Sequence, residues 1–184
     1  MQALIDAESS YLIKSGEIVL VIANNANAYA LERAKKHGIA TFVVEKKHCA
    51  DQGDFERKIL DQLHNDGIDL IVLAGFMSIL SSDFIKHYPQ RIINIHPSLI
   101  PSFCGKGFYG LRVHQAALDY GVKVTGATAH FVNEIPDGGR IIMQKAVDIA
   151  EDDTPETLQK KVMEQAEWQI LPAAVEYVCA KMEV

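Results

Sequence analysis

The chain has 184 residues, 48% hydrophobic and 23% charged, with a formal net charge of −6. Those values suit one globular domain, argue against disorder, and supply no basic field for gripping a nucleic-acid backbone. No apolar run nears the ~20 residues a membrane helix needs, and no basic-then-apolar leader opens the chain. Cys49, Cys104 and Cys179 form neither a CxxC pair nor a disulfide framework, so the expectation is a reduced, cytoplasmic protein.

Residues 1–14 read as an amphipathic helix, with Met1, Leu4, Ile5 and Leu12 near helical spacing. Residues 17–23 read as a buried strand. A helix is expected over 28–37, stopped by Gly38, then a strand over 39–44. A helix over 51–65 carries Phe55, Ile59, Leu60 and Leu63 on one side and charges on the other. Residues 68–74 are apolar on both faces, as in a parallel strand covered by helices on each side. A short helix over 83–87 and a strand over 91–95 follow. After a loop from Pro97 to Gly110 come a helix over 111–120 and two long strands, 122–132 and 140–149, expected to be antiparallel. The last helix opens at Thr154 and Pro155, a capping residue and a first-turn proline, and runs to about Met182. This alternation gives an α/β fold, a mostly parallel central sheet flanked by helices with antiparallel C-terminal strands. The opening is unusual, because doubly wound folds begin with a strand and a glycine-rich turn, whereas here a helix comes first.

The most informative stretch is Asn94-Ile95-His96-Pro97-Ser98-Leu99-Ile100-Pro101. Asn94 and His96 are two apart on a strand and share a face, at the carboxyl end where open α/β sheets take their ligands. Pro97 keeps His96 extended. Downstream, Asp137-Gly138-Gly139 puts a carboxylate on a turn where backbone approaches closely. An amide donor, an imidazole and a carboxylate suit acyl transfer to an amine without a covalent intermediate. Asn94 and His96 would donate to the oxyanion, and Asp137 would orient His96 and relay the amine proton. The chain has no Gly-x-Ser-x-Gly elbow, so serine hydrolysis has little support, and no HExxH or cysteine pair that would favour a metal site. Metal ligation by His96 with His114 or His130 stays a minor alternative. His130 reads as a hydrogen-bonded wall residue; His37, His48, His64 and His87 read as surface.

The run from Asn94 to Pro101 resembles the signature of the formyltetrahydrofolate-dependent formyltransferases. With Leu73-Ala74-Gly75-Phe76-Met77 upstream and Asp137-Gly138-Gly139 downstream, the chain is similar to the glycinamide ribonucleotide branch of that family, over essentially its whole length. The resemblance implies a Rossmann-like fold in a single domain, 1–184. It also implies formyl transfer from 10-formyltetrahydrofolate to the amine of glycinamide ribonucleotide in purine synthesis, without metal or nicotinamide. Asn94, His96 and Asp137 fall on the catalytic positions. The resemblance places the pterin against Phe76, Met77, Ile79, Leu80, Ile85 and Ile92 and against backbone of Asn133, Glu134, Ile135, Pro136 and Asp137. It places the ribonucleotide near Gly75, Pro97 and Glu167. The expected partners are small molecules, with neither nucleic acid nor membrane, acting on a monomer or homodimer.

The chain departs from that pattern in places. The family's first strand and phosphate loop precede the segment that begins here at Met1, so the expectation is a domain N-terminally incomplete relative to the family. Ser78, Arg140 and Trp168 replace common arginine, proline and histidine. A formyltransferase with another acceptor, or a folate-binding fragment without turnover, are the alternative expectations.

Overall fold

A computed structural model describes residues 1–76 and 78–182 of the chain. Its elements in order are α1 (Gln2–Ser9), β1 (Leu20–Ala23), α2 (Tyr29–Lys36), β2 (Ala40–Val43), α3 (Gln52–Asn65), β3 (Ile71–Leu73), α4 (Ser82–His87), β4 (Ile92–His96), α5 (Leu111–Tyr120), β5 (Val124–Phe131), β6 (Ile141–Asp148), α6 (Pro155–Val162) and α7 (Trp168–Met182). The result is the expected Rossmann-like α/β fold. Parallel pairing joins β1 to β2 and β3 to β4, and the antiparallel addition is β5 on β4 and β6 on β5.

Local chemistry explains most boundaries. Asp51 caps α3 by accepting from the Asp54 N–H. Thr154 and Thr157 bond reciprocally at the start of α6, with Pro155 in the first turn. Gly38 leaves α2 at φ +73°, a conformation that costs glycine nothing.

Three expectations are corrected. The first helix stops at Ser9 rather than running to residue 14, because Tyr11 adopts φ +58° and the Leu12 and Ile13 N–H groups fold back onto the Ala7 carbonyl. Glu56 does not lie on a solvated face of α3; it is 4% exposed, inside the apolar cluster. The last helix is not continuous: a π-helical turn over Met163–Glu167 separates α6 from α7. Such turns re-aim side chains within a helix.

The sheet is in two pieces, β1-β2 and β3-β4-β5-β6. One core runs beneath both. Leu20, Ile22 and Phe42 pack with Ile71 and Leu73 on the cluster built by Phe55, Ile59, Leu80 and Phe84. On the opposite face Ile18 joins Leu70 and Val72 against Leu4, Leu171 and Val175 of α1 and α7. The facing edges of β1 and β3 nevertheless share no ladder. Ile71, Val72 and Leu73 are only half-buried, although the run is apolar on both faces as a central strand is.

Candidate active site

The site grows from the register of β4 on β5. Asn94 lies opposite His130 and His96 opposite Thr128. Side chains two apart share a face, so Asn94 and His96 from one strand meet Thr128 and His130 from the other. The β5–β6 connection then brings Asp137 over them. His96 Nδ1 lies 3.4 Å from Asp137 Oδ2, and His130 Nε2 lies 3.6 Å from Asp137 Oδ1. Asn94 Nδ2 is 3.3 Å from His130 Nε2. The three residues singled out from sequence converge, with His130 as a fourth.

Backbone carbonyls fix both rings. His96 Nε2 is 2.9 Å from the Phe103 carbonyl, which can only accept, so Nε2 carries the proton. That leaves Nδ1 facing Asp137. His130 Nδ1 donates in the same way to the Phe131 carbonyl at 2.9 Å. In the neutral ring His130 Nε2 then accepts from Asn94. Protonated, it becomes a donor toward Asp137.

Asp137 is held from three sides. Its Oδ2 accepts from the Gly105 N–H at 2.8 Å. Burial pushes its carboxyl up, but the His130 ring, the Gly105 N–H and the charge of His96 outweigh burial and hold it below the usual carboxylate range. Asp137 itself sits at φ +55°, a conformation that non-glycine residues adopt at some cost. Asn133 builds the turn locally, its Oδ1 accepting from the Ile135 N–H at 3.0 Å and its Nδ2 donating to the Gly138 carbonyl at 3.2 Å. Gly139 is required, since a Cβ there would lie 1.7 Å from the Phe131 carbonyl oxygen.

The segment after His96 is pinned to β5 and β6. Thr128 Oγ1 donates to the Ser98 carbonyl and accepts from the Ile100 N–H, while Gln144 Nε2 donates to Thr128 Oγ1 and to the Ile100 carbonyl. Ser98 Oγ donates to the Ser102 carbonyl at 2.5 Å. Cys104 lies beside this loop, and burial, then Asp137, push its thiol up, which keeps it a weak nucleophile. His114 of α5 is 1% exposed, with no hydrogen-bond partner for either ring nitrogen. Burial, then the neighbouring charge of His96, hold it down at about 4, so it is neutral beside the site.

His130 is the hydrogen-bonded wall residue expected from sequence. Sequence reasoning missed the supporting residues Thr128, Phe103, Gly105 and Gln144. The alternation of Thr128 with His130 on one strand was a usable signal for the first of them. The contributions of Phe103 and Gly105 are backbone groups and leave no mark in residue type.

The remaining expected residues fall in three places. Phe76 is half-buried and Ile79 is 70% exposed, on the segment after β3, while Met77 lies outside the described residues. Ile85 is half-buried on α4. Leu80 and Ile92 are buried in the cluster against α3 rather than lining an open wall. Asn133, Glu134, Ile135 and Pro136 form the exposed rim of the Asp137 turn. Gly75 is exposed at φ +75° beyond β3, and Pro97 is half-buried next to His96. Glu167 closes the π-helical turn, half-buried; burial pushes its carboxyl up to about 7, against the pull of the Met1 ammonium. It therefore lies beside the start of α1, not among the converging groups. Among the described residues no cluster of three or more His, Cys, Asp or Glu could hold a metal ion. No helix among them is long and apolar enough to cross a membrane.

An amide, an imidazole and a carboxylate meet at the carboxyl end of a Rossmann-like sheet, a set of groups suited to acyl transfer. The chain belongs to the formyl transferase family, whose model matches residues 1–175. Within that family, the chain is 40% identical over 152 residues to "Phosphoribosylglycinamide formyltransferase, chloroplastic" of Arabidopsis thaliana, covering 82% of this chain and 52% of the relative. It is 42% identical over 182 residues to "Trifunctional purine biosynthetic protein adenosine-3" of Bos taurus, covering 98% of this chain and 17% of that protein. The crystal structure of glycinamide ribonucleotide transformylase 1 from Symbiobacterium toebii superposes with a TM-score of 0.91 at 35% identity, over 98% of this chain and 82% of the other. The chain thus spans about half the length of the first relative and about a sixth of the second.

Proposed function

We propose that the chain transfers the formyl group of 10-formyltetrahydrofolate to the primary amine of glycinamide ribonucleotide, a step of purine synthesis. The observation that carries this is the convergence of Asn94, His96 and Asp137, with His96 Nδ1 facing the carboxylate at 3.4 Å and Nε2 tied to a carbonyl. The names of the relatives supply the acceptor.

In this reading the amine nitrogen attacks the formyl carbon, and the carbonyl oxygen becomes an oxyanion. Asn94 Nδ2–H and a protonated His96 Nδ1 donate to that oxygen, each contributing on the order of 10²-fold or more. Asp137 takes the proton lost by the amine, directly or through a water. The carbon–N10 bond of the folate breaks as the oxyanion collapses, and N10 takes up a proton. No covalent enzyme intermediate forms and no metal takes part in a step. Phe76, Ile79 and Ile135 supply apolar surface for a flat ring, and the 133–137 backbone supplies polar groups to orient it. Met77, Ile85 and, after a small rearrangement, Leu80 and Ile92 complete that wall. Gly75, Pro97 and Glu167 face the ribonucleotide. The enzyme works in the cytoplasm on small molecules, as a monomer or homodimer.

The test is turnover of purified protein with both substrates, followed by the absorbance of the deformylated folate, with and without the ribonucleotide. Acceptor-dependent turnover supports the reading; turnover only with a different amine or with water replaces the acceptor. A second reading, folate binding without efficient turnover, is favoured by the unpaired edges of β1 and β3. A strand and glycine-rich turn between them would complete one sheet over 1–184 and set backbone N–H groups toward the acceptor's phosphate. That reading requires ordinary folate affinity with a greatly raised acceptor KM.

A further inference from the structure

Glu56 is the one acid among the buried residues of the described chain, at 4% exposure, and no cation lies within ion-pair distance of it among the described residues. A buried carboxylate is costly unless donors surround it. Here they come from Ser81 and Gln52. Ser81 donates twice, its N–H to Oε1 at 2.8 Å and its hydroxyl to Oε2, and Gln52 Nε2 donates to Oε1 at 2.6 Å. The same Gln52 amide reaches the Ile79 carbonyl at 3.4 Å. Ser81 Oγ in turn accepts from the Phe84 N–H and starts α4.

Two residues one turn apart on α3 therefore grip the segment between β3 and α4. That segment leaves the carboxyl end of a parallel strand, where such sheets take ligands. It holds Leu80 in the core while leaving Ile79 70% exposed. An apolar residue at 56 would suit the surrounding cluster of Phe55, Ile59, Leu80 and Phe84 better than a charge does. It would also leave the Ser81 N–H without a partner and the segment free to choose its register. We infer that Glu56, with Gln52, is a positioning residue that sets residues 78–81 as part of the wall for the flat ring of the formyl donor. This inference rests on the reading of that wall as the folate site.

Glu56→Gln preserves shape and keeps one acceptor while losing the second. The expected result is a KM for 10-formyltetrahydrofolate raised roughly tenfold, with kcat and the acceptor KM within about twofold of wild type. Ser81→Ala should do the same, and the double variant should be no worse than either single one, because both remove one interaction. Calorimetric titration with tetrahydrofolate gives the readout without turnover, and urea unfolding checks that each variant is folded. If kcat falls and the acceptor KM rises as much as the folate KM does, or Glu56→Gln leaves folate affinity unchanged, the positioning role is overturned. Phe76→Ala separates the two claims. Weakened folate binding there with an unaffected Glu56→Gln sinks only this inference; unchanged binding in Phe76→Ala sinks the folate wall and this inference with it.

Discussion

Replacing Glu167 by glutamine should stabilise the protein at alkaline pH and do nothing at acid pH. The carboxyl is half-buried and pushed from 4.5 up to about 7, by burial first, with the Met1 ammonium offsetting part of it. Below the unfolded value both states hold the proton and the group contributes nothing. As pH rises from 4.5 through 7 the folded state keeps the proton longer, so stability falls, and above 7 the whole penalty applies. At ~1.36 kcal/mol for each pH unit of displacement, the ceiling is ~3.4 kcal/mol; partial solvent access lowers the expected effect to ~1–2 kcal/mol. Urea unfolding of wild type and Glu167→Gln at pH 4 and pH 8.5 measures it. The variant should match wild type at pH 4 and gain ~1–2 kcal/mol at pH 8.5. An equal difference at both values, or a loss at pH 8.5, refutes the reasoning, because it would mean the carboxylate is solvated or paired.

Other perturbations follow from the same geometry. His114, held at about 4 by burial and by His96, binds its proton more readily unfolded, so its stabilising contribution is present above 6.5 and lost as pH falls through 4; His114→Leu should flatten the acid limb of a stability profile measured by urea unfolding. His96→Ala and Asp137→Asn should each lower kcat on the order of 10²-fold or more with urea midpoints little changed, and normal turnover in either removes that residue from the reaction. Gly139→Ala forces the turn away from the Phe131 carbonyl and should cost at least ~2 kcal/mol as well as activity; an active, equally stable variant contradicts the close approach.

Much of this was legible from residue order, and the reasons differ by element. The α2, α3, α5 and α6 helices were readable because capping and stop residues mark their ends: Gly38, Asp51, Gly121, Thr154 with Pro155. The converging groups were readable because Asn94 and His96 share a strand face and Asp137 precedes two glycines. Three features were hidden. The early end of α1 depends on a tyrosine in a left-handed conformation, which no propensity favours. Glu56 looked solvated because the periodicity of α3 was judged on its apolar residues alone, and its partners arrive from 25 residues away. The acceptor and donor that fix His96 and Asp137 are main-chain groups of Phe103 and Gly105, visible only once the loop is folded.

The division of the sheet has a chemical counterpart. Among the described residues, the hydrogen-bond and ion-pair partners of Asn94, His96 and Asp137 belong to β4, β5, the turn before β6 or the loop after β4, and those strands are joined by continuous ladders. The converging groups are therefore anchored on the four-stranded piece, while the start of α1 lies beside Glu167. On the proposed reaction two quantities separate: stabilisation of the oxyanion by Asn94 and His96, with Asp137 taking the proton, and the capacity to hold the amine in front of them.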